Sequence, residues 1–267
     1  ETPDGAPLSL PSVPPGTRLF RNMFYLFHDL YAPLGDRASQ KGSIDTTRCR
    51  NVTVTGCRIG ASGDSMHILE CENVVFSANQ ITAARMGAFY IGFYCRNVTV
   101  TGNTVYGTNG SRTCSVERST QDITLVGNTF VGGGRGSWFN QPYNLILSDN
   151  LFLRNTEKCV PELQQGRMCP VTGHFERYPE VYCTTWEPDA VYEPVILRGN
   201  IIESGDHASA AVAFNPGGRD ILLEGNVFRG AVRDIHVAAG CAMPHMSGNI
   251  GMGAVCERTF VNTVNVR

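Results

Sequence analysis

Apolar and polar residues alternate along this chain in short frames that keep returning. Asn51-Val-Thr-Val-Thr-Gly-Cys-Arg-Ile is followed by Asn73-Val-Val-Phe-Ser-Ala-Asn-Gln-Ile and by Asn97-Val-Thr-Val-Thr-Gly-Asn-Thr-Val. The frame returns as Asp122-Ile-Thr-Leu-Val-Gly-Asn-Thr-Phe, Asn144-Leu-Ile-Leu-Ser-Asp-Asn-Leu-Phe, Pro194-Val-Ile-Leu-Arg-Gly-Asn-Ile-Ile and Asp220-Ile-Leu-Leu-Glu-Gly-Asn-Val-Phe. A degraded last copy reads Pro244-His-Met-Ser-Gly-Asn-Ile. The shared template is apolar-x-apolar-x-Gly-Asn-x-apolar. Its marked positions are Cys57, Asn79, Asn103, Asn128, Asn150, Asn200, Asn226 and Asn249, at intervals of 22 to 26 residues except for the 50 between Asn150 and Asn200.

Period-2 alternation predicts strands with one buried face. Val52/Val54, Val74/Phe76, Val98/Val100, Ile123/Leu125, Leu145/Leu147, Val195/Leu197 and Ile221/Leu223 point inward on that reading. A tight bend at Gly-Asn tolerates left-handed backbone. A second strand then buries Ile59, Ile81, Val105, Phe130, Phe152, Ile202 and Phe228. Third strands over Met66–Glu70, Phe89–Tyr94, Thr113–Arg118, Ala210–Asn215 and Ile235–Ala238 close each coil. Repeats of this period mean a solenoid. A leucine-rich repeat has a similar period and its own Asn ladder, but needs a Leu-x-x-Leu-x-Leu lead-in that is missing here. The expected fold is all-β: a right-handed parallel β-helix of about eight coils with stacked Asn side chains. At roughly 4.8 Å per coil the rod is on the order of 40 Å long.

The Asn-turn coil resembles the pectate-lyase-like superfamily of parallel β-helices over about residues 40–250. That superfamily holds lyases, hydrolases, epimerases, phage tailspikes and non-catalytic proteins, so the resemblance implies fold rather than reaction. A second resemblance is partial. Gly42-Ser-Ile-Asp45, the Asn51 strand and Gly63-Asp64-Ser65 are similar to the polygalacturonase core, with Asp45 and Asp64 at two of its carboxylate positions. Gly42 and Ser65 stand where further catalytic Asp residues belong, and Arg85-Met86-Gly87 replaces Gly-His-Gly. Inverting hydrolysis needs two carboxylates with room for a water between them, and these positions do not supply both.

The repeat divides the chain into an N-terminal arm and cap (1–40), the β-helix (41–254, with an insertion over 155–193) and a tail (255–267). The stretch Arg18–Tyr31 is strongly apolar and aromatic. It reads as a cap over the open core, or as an interface for a missing N-terminal part or for self-association through the rod's ends. Net charge is -2 and Lys is confined to Lys41 and Lys158, which argues against a nucleic-acid partner. No apolar run is long enough for a membrane span.

Ten Cys point to an oxidising compartment, secreted or periplasmic, and to disulfides. The chain's start has neither the basic nor the apolar segment of a signal peptide, as a mature chain would not. Cys49, Cys71 and Cys95 share one position in three successive coils, so one pair is oxidised or all three form a thiol ladder. Cys159, Cys169 and Cys183 fall in the insertion and are expected to bridge locally, and Cys241 with Cys256 to close the C-terminal end.

The turns after the second strands carry the charge. They place Asp64, Arg85, Arg112, Arg135, Asp206, His207, Arg233 and Asp234 along one edge, with Trp138, Trp186, Tyr90, Phe139, Tyr178 and Tyr182 beside it. Such a row suits an extended, acidic polysaccharide, because Arg holds carboxylates bidentately and aromatic faces stack on sugar rings. Arg85, Arg112, Arg135, Tyr90, Trp138 and Trp186 are the expected binding residues. Asp64, Asp206, His207 and Asp45 are the expected catalytic residues, with His67 and Tyr90 as further acids or bases for a lyase or glycoside hydrolase. No cofactor is implied. Asp64 with Asp45 is the one carboxylate pair that would suit Ca²⁺. The competing expectation is a non-catalytic structural or adhesive module that uses the rod as a spacer.

Overall fold

The computed structural model describes residues 44–60, 64–82, 87–107, 112–157, 178–185 and 189–258. The chain winds into three parallel sheets of nine, eight and seven strands. One coil takes a strand from each sheet in turn, for example Gly87–Gly92, then Arg96–Thr101, then Thr104–Gly107. Every strand pair is parallel and in register between neighbouring coils, as in Val74↔Val98, Val98↔Ile123 and Ile123↔Leu145. There is no helix among the described residues, and so none long and apolar enough to cross a membrane.

The alternating frames form the eight-stranded sheet, and their inward residues are buried as the pattern predicts. Val74, Phe76, Ile123, Leu125, Leu145 and Leu147 are fully inaccessible. The seven-stranded sheet contributes Ile81, Val105, Phe130, Phe152 and Ile202, with the Phe130 and Phe152 rings stacked at 5.1 Å and 11°. Parallel in-register stacking puts like side chains on like, so one continuous apolar column forms from coil to coil.

The Gly-Asn bend works through two adjacent positions. The residue before each ladder Asn has φ near +60°: Gly102, Gly127, Gly199 and Gly225, and also Ala78 and Asp149. That left-handed residue turns the chain and aims the Asn side chain inward. Asn128 is typical: its Oδ1 accepts from Asn103 N–H (3.0 Å) and Asn103 Nδ2 (2.9 Å), and its Nδ2 donates to Val100 O (2.8 Å) and Asn150 Oδ1 (3.0 Å). Each Asn thus reaches the coil on its N-terminal side. At Cys57 no described coil lies there for an amide to reach, and the thiol donates instead to Thr55 O in its own turn. A second, exposed ladder runs through the left-handed residues that open the eight-stranded frames: Asn97 Nδ2 donates to Asn73 Oδ1 (2.8 Å), and Asn73 Nδ2 to Asn51 Oδ1 (3.0 Å). Asn and Asp tolerate this backbone better than other side-chain-bearing residues.

Of the cysteine expectations the thiol ladder is found and the disulfides are not. Every described Cys is a free thiol. Cys49, Cys71 and Cys95 form a thiol ladder that imitates the Asn ladder: Cys49 N–H donates to Cys71 Sγ (3.4 Å) and Cys71 N–H to Cys95 Sγ (3.3 Å). Burial pushes the Cys95 thiol up to about 11, so it stays protonated and donates to Gly92 O (3.2 Å). Cys183 belongs to the strand Val181–Thr184, not to a loop, and Cys241 and Cys256 are not joined. Cys159 and Cys169 lie outside the described residues, as does the N-terminal arm and cap.

The expected insertion is also not one excursion. Val181–Thr184 is a full member of the nine-stranded sheet, between Ser137–Asn140 and Val212–Phe214. The 50 residues from Asn150 to Asn200 are therefore a single coil with an enlarged turn. Likewise Val255–Arg258, expected in the tail, pairs with Ile235–Ala238 as the sheet's last strand.

Replacing Asn128 by Leu removes four side-chain hydrogen bonds, leaves Asn103 N–H buried without its acceptor and takes from Val100 O its side-chain donor. The expected loss is about 3 kcal/mol or more in denaturant unfolding, because each stranded buried group costs roughly 1–3 kcal/mol. Loss under 1 kcal/mol would remove the ladder from the list of stabilising interactions.

Candidate functional site

The nine-stranded sheet is built differently from the others. Its inner strands are buried on both faces: every position of Gly87–Gly92 and Val181–Thr184 is buried, whereas the first strand, Ile44–Thr47, alternates between half-buried and exposed. The outward residues Asp45, His67, Tyr90, Ser115, Trp138 and Tyr182 stack in one file across six coils. A second outward file holds Glu117, Asn140 and Thr184, continued by Asn215. His67 is 3% exposed, Trp138 2% and Glu117 1%, although all point away from the core.

Two clusters occupy this face. In the first, His67 Nδ1 faces Asp45 Oδ1 at 3.4 Å, and the His67 and Tyr90 rings stack at 4.9 Å and 24°. The carboxylate orients the imidazole, as a proton-transfer group requires. In the second, the Arg112 guanidinium lies 3.7 Å over the Trp138 ring and donates to Glu117 Oε1 (2.7 Å). Ser115 Oγ donates to the same carboxylate oxygen at 2.7 Å. Tyr182 meets Trp138 edge-on at 5.3 Å, and Tyr178 meets it tilted at 5.5 Å. The Trp138 indole N–H donates to Arg135 O (2.7 Å), which fixes the ring's rotamer.

Among the described residues, Arg112 Nε, Asn140 Oδ1 and Asn215 Oδ1 are buried polar atoms on this face without a hydrogen-bond partner. Asn215 spends its amide N–H groups on Tyr182 Oη (2.5 Å) and Thr184 Oγ1 (3.0 Å), which leaves its carbonyl oxygen bare. Buried unsatisfied polar groups are uncommon and call for an explanation.

The expected residues thus divide. Asp45, Tyr90, Arg112 and Trp138 come together on the outward face, and Arg135 joins them through its backbone. Asp206 and His207 do not; they are exposed in the turn after Ile201–Ser204, where Asp206 acts electrostatically on Arg154. Phe139 points into the core instead of lining the edge. Asp64 opens the strand Asp64–Leu69, but its side chain, Arg85 and Trp186 lie outside the described residues. Asp45 is engaged by His67, and no three His, Cys, Asp or Glu side chains converge to hold a metal among the described residues.

Glu117, Asn140, Thr184 and Asn215 were missed by the sequence reading. Their signal was present: Gly-Ala-Phe-Tyr-Ile-Gly, Ser-Trp-Phe-Asn and Val-Tyr-Cys-Thr are runs without polar alternation, the mark of strands covered on both faces. Glu180 was missed too. Its buried carboxylate accepts from Asn155 N–H (2.6 Å), Thr156 N–H (3.2 Å), Thr156 Oγ1 (2.5 Å) and Gly205 N–H (3.2 Å). It ties the enlarged turn to the next coil's turn.

A parallel β-helix with a polar and aromatic outward face is the class of protein these features define. The model of the right handed β-helix region matches residues 37–173, about half of the chain, and the chain belongs to that family. No curated protein matches it.

Burial raises the Glu180 carboxyl from 4.5 to about 7, against the pull of its four donors. A carboxyl with a raised folded pKa contributes stability that is full below its unfolded value and lost as pH rises through the folded one. Unfolding free energy is therefore expected to fall by on the order of 3 kcal/mol between pH 4.5 and 7. In Glu180→Gln the fall over that window should vanish, whatever the variant's baseline; an unchanged pH profile would show that Glu180 does not titrate there.

Proposed function

We propose that this is a secreted or periplasmic carbohydrate-active β-helix that binds an extended polysaccharide along the outward face of its nine-stranded sheet and cleaves it. The observation that carries the reading is the file of His67, Tyr90, Ser115, Trp138 and Tyr182, bordered by buried polar atoms without partners. Stacked coils repeat a recognition position about every 4.8 Å, close to the repeat of a polymer chain. Aromatic rings offer faces to sugar rings, and unmet polar atoms offer partners to hydroxyls. Proton transfer falls to His67, oriented by Asp45, with Tyr90 beside it. Both lyases and glycoside hydrolases require such a group.

The closure of the same face favours a second reading. Trp138 and Asn215 are as inaccessible as core residues. That suits a non-catalytic structural or adhesive module in which this face acts as a second packing layer.

A screen of glycans separates the two, with unsaturated product followed at 235 nm and new reducing ends by a chemical assay. The enzyme reading expects product from at least one glycan, loss of turnover in His67→Ala and about tenfold weaker binding in Trp138→Ala, since an aromatic contact is worth roughly 0.5–1.5 kcal/mol. Absence of both product and binding on every glycan would leave the structural module standing.

A further inference from the structure

The apolar column runs out at the C-terminal end of the rod. Leu125, Leu147, Leu197, Leu223 and Met246 occupy one register position in successive coils of the eight-stranded sheet. The four Leu side chains are fully buried, whereas Met246 is 37% exposed. Its strand, His245–Ser247, is the last of that sheet, and all three of its residues are exposed. Among the described residues it pairs on one side alone, with Ile221–Glu224. An open core end beside an unpaired parallel edge is what solenoids cover with a capping segment.

The nine-stranded sheet reaches one coil further. Val255–Arg258 stacks beyond Ile235–Ala238, and Val255 packs half-buried against the core. A last coil thus begins in one sheet, and its continuation in the next sheet falls outside the described residues.

The spacing of the other coils locates that continuation. Met66, Phe89, Cys114, Ser137, Val181, Val212, Ile235 and Val255 share one register position in the nine-stranded sheet. Met66 precedes its column residue Phe76 by 10 positions, and Ser137 precedes Leu147 by 10. Phe89 to Val100, Cys114 to Leu125, Val212 to Leu223 and Ile235 to Met246 are each 11, and Val181 to Leu197 departs at 16. From Val255 the column's next position is therefore residue 265 or 266. Residues 259–267 read Thr-Phe-Val-Asn-Thr-Val-Asn-Val-Arg. The offset of 11, which the two preceding coils use, selects Val266 with Val264 two positions before it. The offset of 10 would turn Asn265 and Thr263 into an apolar column, at the cost of burying unpaired polar groups. Thr263-Val-Asn-Val-Arg267 also repeats the alternation of Asn51-Val-Thr-Val-Thr55, the frame of this sheet.

We infer that His245–Ser247 is a docking edge for residues 263–267 of the same chain, with Val266 seated on Met246 and Asn265 and Arg267 directed outward. The connection has the required length. Earlier coils pass from the nine-stranded to the eight-stranded sheet between Leu69 and Glu72, Gly92 and Arg96, or Glu117 and Gln121. The same step from Arg258 reaches Val261 or Asn262, which leaves the frame intact. A second copy of the chain would pay the entropy of association to fill the same edge, which a tethered segment does not. The edge lies at the end of the rod, so the inference stands apart from polysaccharide binding.

The test is hydrogen exchange of the full chain, resolved to single amides, because protection reports local opening. The expected result is protection of Val264, Asn265 and Val266 together with Met246 and Ser247. A chain ended after Arg258 should lose the protection of Met246 and Ser247 and keep that of Leu125 and Leu147. Val266→Asp should show the same loss, and Asn265→Asp, on the outward side, should not. Exchange of residues 263–267 at the rate of unstructured chain would overturn the inference. So would protection of Met246 that appears only as protein concentration rises, which assigns the edge to a second copy. The pattern in the unmodified chain decides the matter even if the shortened one does not fold.

Discussion

Everything in this molecule depends on the hydrogen bonding of the buried Asn ladder. A parallel coil must turn sharply three times, and each turn leaves main-chain groups that water cannot reach. The amides of Asn79, Asn103, Asn128, Asn150, Asn200 and Asn226 satisfy those groups and link each coil to the one before it. Because each Asn also accepts from the preceding coil's N–H, the ladder fixes register as well as spacing. A slip of one residue would turn every side chain to the other face. The apolar column of Phe76, Val100, Leu125 and Leu147 therefore stacks only because the ladder holds the register.

Once register is fixed, the nine-stranded sheet becomes a grid, and chemistry can be placed on it. Side chains one coil apart face outward side by side. That is how Asp45 meets His67 across 22 residues, and how Trp138 meets Tyr182 across an enlarged turn. The thiol ladder shows the same logic with weaker groups. Cys49, Cys71 and Cys95 answer a second corner's N–H and C=O demand with sulfur, and burial keeps the thiol of Cys95 protonated so that it can donate.

Glu117 and Glu180 illustrate two uses of a buried carboxylate. Glu117 meets a guanidinium and a hydroxyl on the outward face, and its effect is to cancel a charge. Glu180 meets four donors and, among the described residues, no cation, and its effect is to join two turns. Neither role follows from residue type. Both follow from which donors the coils bring within reach.

The sequence by itself determined the coil, the inward residues of two sheets and the positions of the ladder. These are local and periodic properties: alternation fixes a face, Gly-Asn fixes a bend, and repetition at a constant interval fixes stacking. It also pointed to Asp45, Tyr90, Arg112 and Trp138. Tertiary structure alone decided that Asp206 and His207 lie apart from them, that Cys183 is a strand residue, and that Arg112 is neutralised. The physical reason is that side-chain pairing across coils depends on strand register and on the path of long side chains. Arg112 reaches Glu117, five residues on in its own strand, by folding over Trp138 of the next coil. No periodicity encodes that path. The Asn repeat specifies where each coil lies, and the contacts between coils specify what each residue can do.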